Sequence, residues 1–66
     1  MCESSVFVRS ESGDDKLLAD DVARIVPEGE LIRIWSVLGE ETWVKGAIVE
    51  IDLMGHKIVV QESVLE

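Results

Sequence analysis

A single cysteine, a single proline, a single histidine and no apolar run near eighteen residues set the first limits on this 66-residue chain. With Cys2 alone, no internal disulfide can staple the fold. Without a long apolar run, or a basic segment leading into an apolar one, no membrane span or secretion signal is expected. The chain is therefore read as soluble and cytoplasmic, with a reduced thiol. No Cys-x-x-Cys pair and no glycine-rich phosphate loop occur, and nothing resembles an enzyme site. Positive charge is also scarce. Arg9, Lys16, Arg24, Arg33, Lys45 and Lys57 stand singly against 14 Asp and Glu, for a net charge of −8. Nucleic-acid affinity rests mainly on neutralising phosphates, so no nucleic-acid partner is expected.

Apolar residues, at 47%, are sufficient for one folded domain over 1–66. A chain this short buries only about 60% of its unfolded surface, so a metal or a partner subunit is the expected support. Turn signals recur at short intervals in SESGDDK (10–16), PEGE (27–30), LGEE (38–41) and LMGHK (53–57). Between them lie short Val- and Ile-rich runs, the pattern of a small all-β barrel or sandwich.

Segment 5–9 reads as a first strand. Over 31–38, Ile32, Ile34 and Leu38 share one face, and Leu31, Arg33, Trp35 and Val37 share the other. Over 42–53, Trp43, Ala47, Val49, Ile51 and Leu53 alternate with Val44, Ile48, Glu50 and Asp52, with Gly46 as a bend or bulge. Segment 57–62 sets Ile58 and Val60 against Val59. PEGE fits a type I turn with Pro27 second and Gly29 fourth. Segment 16–26 suits a helical period about as well as a strand. Pro27 and the β context favour extended structure, with a helical turn at Ala19–Val22 as the alternative. Several strands are apolar on both faces, around Leu31, Trp35 and Val37 and around Val44 and Ile48. A small barrel buries only one face of each strand, so a twofold partner is expected over the other.

Position 2 is an unusual place for the only thiol. Methionine is generally removed before a small residue, which would leave Cys2 with a free α-amine beside its thiol. Those groups titrate near 8 and 8.5, so a metal can displace both protons near neutrality. Amine and thiolate close a five-membered chelate ring. The backbone amides of Glu3 and Ser4 would complete a square-planar set suited to Ni(II) or Cu(II). A tetrahedral zinc site would need more Cys or His than one chain offers. The competing reading is an inert Cys2, or one packed at an interface.

The start MC, the strand SSVFV, the phrase LLADDVARIVPEGELIRI, the turn GEE and the closing VKGAIVEIDLMGHKIVV resemble the CooT family. These are small nickel-binding proteins associated with maturation of carbon monoxide dehydrogenase. The likeness covers essentially the whole chain. It implies an SH3-like or Sm-like β-barrel that dimerises and binds Ni(II) through Cys2 of both subunits. It further implies that nickel is held for, or delivered to, a nickel apoenzyme such as carbon monoxide dehydrogenase, with no catalysis by the chain itself. The alternative is a small β-barrel interaction module with no physiological metal. RNA binding ranks below both.

His56 in MGHK becomes a ligand candidate only if the fold brings that turn beside Cys2. The pairs Asp14-Asp15, Asp20-Asp21 and Glu40-Glu41 point to opposite faces of extended chain, which suits a solvated surface better than a catalytic dyad. Trp35 and Trp43 are read as barrel or dimer packing and not as a base-stacking platform.

Overall fold

A computed structural model describes residues 3–63. Five strands alternate with the short turns: β1 (Ser4–Arg9), β2 (Asp15–Glu28), β3 (Leu31–Ser36), β4 (Glu41–Asp52) and β5 (Lys57–Glu62). Each pairs antiparallel with the next, and β5 returns to β1 in parallel, so the sheet closes into a ring. The parallel seam follows from counting, because an odd number of up-and-down strands ends pointing the way it began.

The interior consists of Val6, Val22, Ile32, Ile34, Val44 and Val60, with Val8, Ala19, Ile25, Ile48 and Ile58 packed against it. Every member of the buried cluster is β-branched, which suits a pleated strand and fills a narrow ring. No polar or charged residue is buried among the described residues. Both tryptophans and Phe7 lie outside the buried cluster.

Segment 16–26 is strand throughout, within the 14-residue β2, as the β context favoured. It bends where a helical turn was the alternative. Asp21 adopts a left-handed φ of 51°, and the pairing slips between Val22 and Arg24. Asp is among the few side chains that accept this backbone. Asp20 Oδ1 steadies the bend by accepting from the Asp21 amide (2.9 Å) and the Ser5 hydroxyl (2.8 Å). The bend lets the first half of β2 pair with β1 and the second half with β3.

The expected PEGE turn lies further along. Pro27 and Glu28 remain in β2 opposite Ile32 and Leu31, and the connection is the two residues Gly29-Glu30. Gly29 alone of this pair has positive φ, at 61°, the φ pattern of a type II′ hairpin whose twist matches the strands. Pro27 is tolerated because this half of β2 bonds only to β3.

Leu38 does not share the buried face of Ile32 and Ile34. β3 ends at Ser36, and Leu38 is 84% exposed in the following turn. There the Ser36 hydroxyl accepts from the amides of Leu38 and Glu40, and Gly39 takes a φ of 90°.

The face assignment in β4 also changes. Val44 is buried and Ile48 packs on the core, so the outward apolar set is Trp43 and Val49 and not Val44 and Ile48. The bulge sits between Ile48 and Glu50, not at Gly46. Beyond it, Glu50 lies opposite Val59 and Ile51 opposite Ile58, so the alternation reverses and Ile51 leaves the face of Trp43. Gly46 instead permits a close approach, because a Cβ there would stand 2.1 Å from the Gln61 carbonyl oxygen. Its missing side chain lets β4 close on β5.

Candidate functional site

Two regions carry chemistry. The first is the start of the chain. Cys2 lies outside the described residues. Glu3 is exposed ahead of β1, and Ser4 is the first residue of β1, paired with Val22. The parallel seam sets Ser5 against Lys57, and the Ser5 amide donates to the His56 carbonyl at 2.9 Å. The fold thus brings the turn of the only histidine beside Ser5, while the condition set for His56, a turn beside Cys2, falls on a residue outside the described ones. His56 is exposed, in a left-handed conformation with φ of 54°. Among the described residues, no three His, Cys, Asp or Glu side chains gather as a metal cage. A shallow depression lined by Ser4, Val22, Arg24 and Ile58 adjoins this end. The larger cleft, about 310 Å³, lies at the far end of β1 against Arg9, Glu11, Lys16 and Gln61.

Asp15 accepts from Arg9 Nε at 2.9 Å and lies 3.2 Å from Lys57 Nζ, while Asp14 accepts from the Ser12 hydroxyl in the turn before it. Arg9 also reaches Glu50 at 3.0 Å across the seam. The Arg9 hydrogen bond holds the Asp15 carboxyl below its ordinary range, against a smaller opposing effect of desolvation. The same bonds raise the Arg9 guanidinium, Asp15 contributing most. Val59 is fully buried outside the interior cluster, opposite Phe7 on one side and Glu50 on the other.

The second region is the outward face of β2, β3 and β4. The register places three rows across it: Arg24–Trp35–Glu41, Val26–Arg33–Trp43 and Glu28–Leu31–Lys45. Arg33 occupies the centre. Its guanidinium lies 4.7 Å from the ring centres of both Trp35 and Trp43, and that of Arg24 lies 4.9 Å from Trp35. Arg33 also donates to Glu41 at 2.9 Å and to Glu28 at 3.2 Å. These bonds raise its pKa, Glu41 contributing most. Along the sequence the basic residues look scattered. Alternation alone pairs Arg33 with Trp35 and Trp43 with Lys45, but only the strand register assembles the rows.

With the geometry in place, the chain can be set beside known proteins. The family model for the CO dehydrogenase accessory protein CooT matches residues 1–61. The chain belongs to the CooT family. An uncharacterized protein of Archaeoglobus fulgidus is 50% identical over 42 residues, covering 64% of this chain and 93% of that one. A crystal structure of a protein assigned to CooT from Carboxydothermus hydrogenoformans superposes with a TM-score of 0.83 at 22% identity, covering 94% of this chain and 98% of that one. The superposition concerns the fold. No helix here is long and apolar enough to cross a membrane, among the described residues.

Proposed function

We propose that this protein is a nickel-handling accessory protein that binds Ni(II) at its start and holds or delivers it to a nickel apoenzyme. The ligands are the α-amine and thiolate of Cys2, with the backbone amides of Glu3 and Ser4 completing a square-planar set. The protein works in the cytoplasm as a dimer of SH3-like barrels and performs no catalysis, with CO dehydrogenase as its client. The observation that carries the reading is the family match, which begins at residue 1 and therefore includes the only cysteine. The donor chemistry supports it, because amine, thiolate and amide nitrogens favour Ni(II) over harder ions. The described ring offers no competing metal cage. Glu3 precedes β1 and is exposed, so its backbone is not committed to the ring.

The test is a Ni(II) titration of protein whose mass shows removal of Met1, followed by thiolate-to-nickel absorption. A Cys2→Ser variant and an N-terminally extended form run beside it. Sharp saturation in the native form, lost in both controls, is the expected result. Equally weak binding by all three would discard the metal reading in favour of the interaction module.

A further inference from the structure

The four connections between strands form two pairs of opposite character. Turns 10–14 and 29–30 gather around the end of β1. They are linked through Gly46, whose amide donates to the Glu30 carbonyl at 2.8 Å and which pairs with Glu62, one residue beyond the Gln61 that faces Arg9. Neither of these turns contains an apolar side chain. Turns 37–40 and 53–56 gather instead around the start of β1. The Val37 amide donates to the Asp21 carbonyl at 2.8 Å, the Ser5 hydroxyl to Asp20 at 2.8 Å, and the Ser5 amide to the His56 carbonyl at 2.9 Å. Three strand spacings, about 15 Å, thus separate one turn from the other.

On these two turns stand Leu38, Leu53 and Met54, which are 84%, 79% and 93% exposed. They are the three most exposed large apolar side chains among the described residues. Single exposed leucines are ordinary on any surface, but gathering all three at one end is not. The turns are also tied down. Ser36 Oγ accepts from the amides of Leu38 and Glu40, and Asp52 Oδ1 accepts from the Gly55 amide at 3.0 Å. Docking onto them would order little that is not already ordered.

Charge selects the kind of partner. Glu3, Asp20, Asp21, Glu40 and Asp52 are exposed around the same two turns. The neighbouring cation, Lys57, is engaged with Asp15 at 3.2 Å and lies over the Phe7 ring. A second copy would meet this end with the same acids, and phosphates of lipid or nucleic acid would be repelled as well. Apolar tips set among carboxylates fit a protein surface with an apolar recess rimmed by Lys or Arg.

We propose that this end of the ring docks on such a surface of the nickel apoenzyme, with Leu38, Leu53 and Met54 as its apolar anchors. The inference rests on the client in the reading above and names the surface that meets it. Ser4 and Ser5 lie between the two turns, so a partner seated there meets the start of β1.

Isothermal titration of the full chain into nickel-free CO dehydrogenase tests this, with far-UV circular dichroism confirming that each variant folds. Wild type is expected to bind, and to bind more weakly as salt rises. Leu38→Ser and Met54→Ser should each weaken binding roughly tenfold. The double variant should lose roughly a hundredfold, since the turns are far enough apart to act independently. Leu17→Ser removes a 56% exposed leucine opposite Phe7, outside both turns, and should leave binding unchanged. Nickel titration of the Leu38 and Met54 variants should match wild type. Wild-type binding that survives the double variant overturns the surface and leaves the client standing. An equal loss in Leu17→Ser does the same, because any exposed leucine then serves. Affinity that does not fall with salt overturns the basic partner, and loss of nickel binding in the turn variants overturns a separate docking role. Absence of wild-type binding overturns both this inference and the client it rests on.

Discussion

The two faces of β3 meet different surroundings, core on one side and solvent on the other. Ile32 and Ile34 point inward, each 1% exposed, while Arg33 and Trp35 between and beside them point outward. The inner residues are short, branched and apolar because a five-stranded ring has no room for an indole and no partner for a charge. The outer residues are long and polar-tipped, and they stack on one another instead of filling a cavity. One strand thus carries the buried core on one side and a stacked, ion-paired cluster on the other.

The sharpest way to break that division is to empty the inside. Ile34→Ala should cost about 2–5 kcal/mol, the usual range for a buried aliphatic deletion, measured by urea unfolding. In a domain this small that is a large share of the total stability. Gly46→Ala comes next. The new methyl group would meet the Gln61 carbonyl oxygen, so β4 must shift off β5. A loss of about 1–3 kcal/mol is expected, with faster amide exchange along β5. Unchanged stability would mean that the β4–β5 approach is looser than this geometry.

The outer face should respond differently. Trp43→Ala removes a half-exposed ring and one stacking contact of Arg33, worth about 0.5–1 kcal/mol at such a site. Thermal unfolding should therefore move by only a few degrees. A loss as large as that of Ile34→Ala would show that the outer cluster is structural and end the comparison.

The smallest effect concerns pH. The Asp15 carboxyl is held below its ordinary value by Arg9, so folding gains from its ionisation. That gain is complete well above pH 4 and fades as pH falls from about 4 through the lowered value. Asp15→Asn should flatten the acid limb of stability, read as a smaller fall in midpoint between pH 5 and pH 3. An unchanged acid limb would mean that Asp15 titrates alike in both states.

Much of this is legible along the chain, and the rest fails for identifiable reasons. Ile32 and Ile34 follow from alternation, which depends only on neighbouring residues. The turns at Gly13, Gly29 and Gly39 follow from residues that accept positive φ. Alternation assigns Ile51 to the face of Trp43, because a period of two cannot announce a bulge. The bulge is set by how β4 must curve to meet β5. Alternation likewise turns Leu38 inward, since an apolar residue at the right parity looks buried until the strand is known to stop at Ser36.

The candidate site divides in the same way. Cys2 is a candidate from the sequence alone, because the chemistry of a thiol next to a free α-amine would be local, and it lies outside the described residues. That the His56 turn meets Ser5 is not legible, since the seam joins residues some fifty positions apart. Composition and alternation were enough for the class of fold, the identity of most inward residues and a candidate metal-binding start. Cross-strand register alone decided that Arg33 lies between two tryptophans and that the histidine turn meets β1. Local steric preference operates over a few residues, whereas register is chosen by the closure of the whole ring.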